Sequence, residues 1–198
     1  MTPTSPIAQA VPELAPPIPQ RVYPTGMLVA LGGILMFFTA LFSSWIVRKG
    51  LSTSQLETPL ALPAGLLTLN TVVLVASSAA LEAARHQLRA GKADKFRDWW
   101  YAATALGILF LIGQFAAWRE TAHQGLYLAS NPDAAFFYLF TGAHALHLLG
   151  GIIGLLLIAF KPLKQLTLRS ATRVSAMYWH FLTIVWIAIF AFLRLAAK

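Results

Sequence analysis

Five long stretches of this chain, residues 25–47, 60–81, 99–118, 135–160 and 176–193, contain no Asp, Glu, Lys or Arg. A helix rises about 1.5 Å per residue, so roughly 20 residues cross the roughly 30 Å hydrocarbon core of a bilayer. Each stretch is near or above that length. Backbone polar groups find no water in lipid, and only helices and closed β-barrels satisfy all of them internally. These stretches are twice as long as a barrel strand and do not alternate. The sequence therefore predicts an all-α integral membrane protein, a bundle of five transmembrane helices. Composition agrees, with 58% hydrophobic and 11% charged residues, where a soluble domain carries roughly 25% charged. The absence of cysteine excludes a disulfide framework, a thiolate metal cluster and a catalytic thiol.

The segment before the first span holds seven of the eleven prolines but only one Arg and one Glu. It cannot bury a core, so residues 1–24 are expected to be a disordered Pro-rich tail and 25–198 the five-helix domain. The first apolar run is longer than a signal-peptide core and lacks its basic flank, which reads as a span and not a cleaved leader. The loops then sort the charge. The tail and the loops 82–98 and 161–175 share one side and carry ten of the fifteen basic residues. By the positive-inside bias the N-terminus is cytoplasmic and the C-terminus outside. The net charge of +8 becomes a matter of topology and lipid headgroups, with no nucleic-acid partner implied.

Chemistry at depth needs ionisable groups or ligands. The candidates are His144 and His147, at i, i+3 on the fourth span beside Thr141, and His180 on the fifth. Counted from the span ends, His147 and His180 differ in depth by nine residues, roughly 13 Å, too far for one metal at ligand distances of about 2 Å. Histidines hydrogen-bonded across helices or to lipid are the expectation, with no catalytic, cofactor-binding or metal residue in the chain. The polar residues Asn70, Thr71, Ser77, Ser78, Gln114 and Thr183 should bond to neighbouring helices or subunits. None of the span hydroxyls is matched in the sequence with a base and an orienting acid. Gly32, Gly33, Gly150, Gly151 and Gly154 suit close helix packing. Trp45, Trp99, Trp100, Tyr101, Trp118, Tyr178 and Trp179 fall at span ends, where aromatic anchors sit.

Two motifs are more specific. Phe137-Tyr138-Leu139-Phe140-Thr141-Gly142-Ala143-His144-Ala145-Leu146-His147, followed by Gly150-Gly151, resembles the FY-x-x-TG-x-H-x-x-H signature of subunit III of haem–copper oxidases. Tyr178-Trp179-His180-Phe181-Leu182-Thr183-Ile184-Val185-Trp186 is similar to that family's last-helix motif YWHFVDxVW. Leu69-Asn70-Thr71 through Ser77-Ser78, and Gly26-Met27 through Ser43-Ser44, resemble its LNT…SS helix and its opening helix. The resemblance covers Gly26 onward. It implies a short five-helix form of the subunit, without haem or copper, which sit in partner subunits. It implies packing against catalytic subunit I and other subunits of the complex, bound phospholipid, and a structural or lipid-proximal role for Thr141, His144, His147, Tyr178, Trp179 and His180. Two family carboxylates are replaced, by Gly33-Ile34 on the first helix and Thr183 on the last, so no proton-handling role passes to them.

The expected function is thus a non-catalytic accessory subunit of a respiratory terminal oxidase. An aa3-type cytochrome c oxidase of aerobic electron transport in a bacterial inner membrane fits best. A quinol oxidase subunit or a homologue accompanying nitric oxide reductase is the alternative within the family. A small transporter would show repeated helix groups or ionisable residues at mid-membrane, and a free-standing cytochrome would need haem ligands.

Overall fold

The computed structural model describes residues 22–51, 63–126, 132–160 and 165–196. They form five α-helices, α1 (Val22–Leu51), α2 (Ala64–Arg89), α3 (Ala93–His123), α4 (Pro132–Phe160) and α5 (Gln165–Ala196). All five are long and apolar enough to cross a membrane, and there is no strand among the described residues. Residues 1–21 of the expected tail lie outside the described residues. Its last three, 22–24, open α1, where Pro24 is tolerated because first-turn N–H groups have no helical acceptor.

The helices overrun their charge-free cores. α2 continues through Glu82, Arg85 and Arg89, α3 carries Asp94, Lys95, Arg97 and Asp98 in its first turns, and α5 begins at Gln165. The segments 82–98 and 161–175, expected as loops, are mostly helix. Arg, Lys, Glu and Ala are good helix formers, and a helix nucleated in lipid extends by one hydrogen bond per added residue. Only residues 90–92 link α2 to α3. Gly91 takes φ +73°, a left-handed cap conformation that costs glycine little. The Ala90 and Lys92 N–H groups donate to the His86 and Gln87 carbonyls, each at 3.0 Å.

α2, α3, α4 and α5 pack in a ring, in that order, and α1 lies outside it against α4 and α5. Two tryptophans seven residues apart on α5 fill the ring. Trp179 donates its indole N–H to Ser77 Oγ on α2 at 3.1 Å and lies against glycines of α3 and α4. A Cβ on Gly107 would stand 2.7 Å from its Cζ2, and one on Gly151 3.1 Å from its Cζ3. Trp186 donates to Thr71 Oγ1 on α2 at 3.0 Å and packs on Phe110 of α3 and His144 of α4, with ring centroids 4.8 and 5.1 Å away. Each indole therefore joins three other helices.

This corrects the expected aromatic belt at Trp100 and Trp179, which are buried inside the bundle. Trp100 and Trp179 are 2% and 1% exposed, while Trp99 and Tyr101 keep 44% and 43%. Trp100 donates to the Leu155 carbonyl at 3.1 Å and Trp118 to Thr141 Oγ1 at 2.9 Å. Because the helices run past their apolar cores, apparent span ends become helix interiors, and buried indoles find acceptors on other helices.

α1 is held along one edge. Phe42 packs on Phe140 and Phe192, at 4.7 and 4.8 Å, and Trp45 on Phe192 at 4.3 Å. Arg48 and Lys49 both reach Asp133 of α4 at 2.6 Å. Its remaining surface exposes Leu28, Val29, Leu35, Met36, Ile46 and Val47.

Candidate functional site

The motif residues of α4 and α5 lie within the ring and on its flanks. Thr141 Oγ1 donates to its own-helix carbonyl of Phe137 at 2.7 Å and accepts from Trp118. Together with Tyr138, whose hydroxyl lies 3.0 Å from the Leu126 carbonyl, it fixes the start of α4 to the end of α3. Tyr178 donates to the His147 carbonyl at 2.9 Å, tying α5 to α4.

The three histidines go separate ways. His180 Nδ1 shares a 2.5 Å hydrogen bond with Ser78 Oγ, and its Nε2 lies 3.3 Å from Glu82 Oε2. It thus bonds across to α2, as expected. His147 Nδ1 bonds instead to its own-helix Ala143 carbonyl at 2.7 Å, and its ring faces Phe38 of α1 at 5.8 Å. His144 is fully buried, and neither ring nitrogen has a hydrogen-bond partner among the described residues. The expected bond across helices or to lipid thus fails for the buried His144, while the His147 ring makes no bond to another helix among the described residues and stays partly exposed.

His147 and His180 also lie closer in depth than the span ends imply. His144 packs on Trp186 and Gly151 on Trp179, which puts His180 level with residue 150. His147 is three residues from that level, about 5 Å along the axis rather than about 13. Unequal helix overruns account for the error. Direction keeps the imidazoles apart, since His180 turns to α2 and His147 to α1. No group of three or more His, Cys, Asp or Glu residues able to hold a metal occurs among the described residues.

One constellation escaped the sequence. Ser78, His180 and Glu82 form a hydroxyl–imidazole–carboxylate line, with Arg85 on the carboxylate at 2.5 Å. The order resembles that of a hydrolytic triad, contrary to the expectation that no hydroxyl would meet both a base and an acid. Ser78 and Glu82 stand at i, i+4 on α2, the one signal that could have suggested it. Ser78 lies in mid-helix, where the backbone N–H groups are taken up by helical bonds. Its own element therefore supplies no oxyanion donors. The line joins α2 to α5.

The other polar residues mostly bond as expected. Asn70 Nδ2 donates to the Phe110 carbonyl at 3.3 Å and Ser77 Oγ to the Ala103 carbonyl at 2.7 Å, both onto α3. Thr183 turns to its own-helix Trp179 carbonyl at 2.9 Å. Gln114 is buried with no partner for either amide atom among the described residues, against expectation. Of the five selected glycines only Gly151 meets a neighbour. A Cβ on Gly32, Gly33, Gly150 or Gly154 would find nothing within 4 Å, so these four open outward. The close approaches were missed at Gly107 and Gly113, where a Cβ would lie 2.0 Å from Asn70 Oδ1. Their signal is a pair of glycines within the apolar run of α3.

Fold and site together define a multi-pass helical membrane protein whose polar side chains mainly serve as ties between helices. Residues 22–196 match the family model described as cytochrome c oxidase subunit III. A probable cytochrome c oxidase subunit 3 of Nocardia farcinica is 31% identical over 200 residues, covering 96% of this chain and 94% of that protein. One of Mycobacterium leprae is 31% identical over 174 residues and 83% of each chain. The subunit 3 of Corynebacterium diphtheriae is 28% identical over 177 residues, again 83% of each. The chain belongs to the cytochrome c oxidase subunit III family, whose members are accessory subunits of oxidase complexes and carry no redox cofactor themselves. It is accordingly a multi-pass protein of the bacterial plasma membrane, assembled with other oxidase subunits.

Proposed function

We propose that this chain is the non-catalytic third subunit of an aa3-type cytochrome c oxidase, bracing catalytic subunit I and retaining phospholipid beside it. The observation that carries the reading is the division between interior and surface. The motif residues Thr141, Tyr178, Trp179 and His180 make interhelical bonds, which suits structural roles. The apolar face of α1 and the open Gly32, Gly33, Gly150 and Gly154 remain on the outside. Small residues permit close backbone approach by a partner helix, and apolar side chains suit acyl tails. His147, beside α1, is taken as lipid-proximal and His144 as structural. The charge bias supports a cytoplasmic N-terminus and an outer C-terminus.

Purification in mild detergent through a tag on the N-terminal side tests this. A large haem-bearing partner and a second oxidase subunit are expected in the eluate by mass spectrometry and absorbance. Recovery of the chain alone, or a stoichiometric Soret band from the isolated chain, contradicts it.

A further inference from the structure

Where α2 ends and α5 begins, a cavity of ≈ 250 Å³ is lined by Arg85, Leu88, Arg89, Arg169, Thr172 and Arg173. Its two walls share one spacing. Arg85, Leu88 and Arg89 fall at i, i+3 and i+4 on α2, and Arg169, Thr172 and Arg173 repeat the pattern on α5. Each helix thereby turns two arginines of one face toward the cavity. Leu88 and Thr172 are buried, and the Thr172 hydroxyl is already donated to the Leu168 carbonyl at 2.8 Å. Arg85 is paired with Glu82. Arg89, Arg169 and Arg173 have no acidic partner among the described residues.

Two ordinary reasons for basic residues fall short. Topology asks only that they lie on one side of the membrane, and it does not gather four around one cavity. The helix dipole favours cations at the C-terminus of α2 but opposes them near the N-terminus of α5, which has no acid in its first turn. Guanidinium groups of like charge around a half-enclosed space also repel one another. A bound anion offsets both costs, and planar guanidinium donors match phosphate oxygens in pairs.

We propose that this cavity is a binding site for a phosphate-bearing anion, held by Arg89, Arg169 and Arg173 over a floor of Leu88 and Thr172. Its place at the ends of two membrane helices suits the headgroup of an anionic phospholipid, and free phosphate offers the same chemistry. The site deepens the phospholipid-retaining reading and rests on it for the lipid source alone.

The test is native mass spectrometry of the purified complex, with lipid adducts read on the mass of this subunit. A chain recovered without its oxidase still reports them, so failure of the proposed function is separable. After delipidation, phosphatidylglycerol, phosphatidylcholine and inorganic phosphate are added in turn. Wild type should retain phosphatidylglycerol over phosphatidylcholine, and R169Q/R173Q should retain it about tenfold less. A control, K95Q/R97Q, which removes equal charge outside the cavity, should match wild type. Arginine-dependent binding of phosphate without phosphatidylglycerol supports the site and assigns it to a free anion. Equal retention by R169Q/R173Q and the control, or no preference for either anion, overturns it. If the double variant does not assemble, R89Q and a photoreactive phosphatidylglycerol on the wild-type complex take its place. Label on residues 85–89 and 169–173 supports the site, and label only elsewhere overturns it.

Discussion

Residues of one chemical type have opposite places in this molecule, and the difference sets what each substitution does. Trp99 and Trp179 both flank apolar runs, yet Trp99 is 44% exposed and Trp179 is 1% exposed. Trp179→Ala would open a void among α2, α3 and α4 and leave Ser77 without its indole donor. It should cost about 3–5 kcal/mol, whereas Trp99→Ala should cost below about 1 kcal/mol, measured by denaturant unfolding in detergent. Gly113 and Gly32 contrast in the same way. Alanine at Gly113 drives a Cβ into Asn70, while Gly32 is open. Gly113→Ala should destabilise by about 1–3 kcal/mol, and in the isolated chain Gly32→Ala should be near neutral. Gln114 runs the other way. Its buried amide has no partner among the described residues, and an apolar side chain of similar size removes that desolvation cost. Gln114→Leu should leave stability unchanged or raise it by about 1 kcal/mol, read in the same melts. The sequence could not separate these cases, because exposure depends on which neighbour a side chain meets.

At the scale of elements, α1 stands apart from the ring. Its attachment combines the Phe42, Trp45, Phe140 and Phe192 cluster with the Arg48 and Lys49 pairing to Asp133. These ion pairs lie partly in solvent, so they contribute about 1 kcal/mol and weaken with salt. Asp133→Asn should therefore raise hydrogen exchange or proteolysis at the C-terminal end of α1 without melting α2 to α5. The excess over wild type should shrink at high ionic strength. Element existence was legible in the sequence, since five charge-free runs admit little but five spanning helices. Element ends were not. Arg, Lys and Glu mark the boundary of hydrocarbon, but they are compatible with helix, so α2, α3 and α5 continue past it.

For the whole molecule, the ring of α2 to α5 explains how a small membrane chain holds together with few charged groups inside. Lipid gives helices little hydrophobic reason to associate, so packing and interhelical hydrogen bonds must supply it. Trp179 and Trp186 provide both, each filling space between helices and donating to a hydroxyl on α2. An isolated chain retaining α2 to α5 should thus keep its helical content when α1 is loosened, a result that circular dichroism of the Asp133→Asn variant can check.

What the sequence determined by itself was the class of solvent and the number of helices, because charge is costly in lipid and a span has a minimum length. The two histidine motifs also pointed to the family to which the chain belongs. Only the tertiary structure decided the pairings. It turned His180 toward Ser78 and Glu82, sent His147 to its own helix and α1, buried Trp179 against Gly107 and Gly151, and left Gly32 and Gly150 open. Those outcomes depend on helix rotation and axial offset, which follow from how large and small residues on different helices fit together. A pattern along one helix marks a face, and the facing helices decide what that face meets.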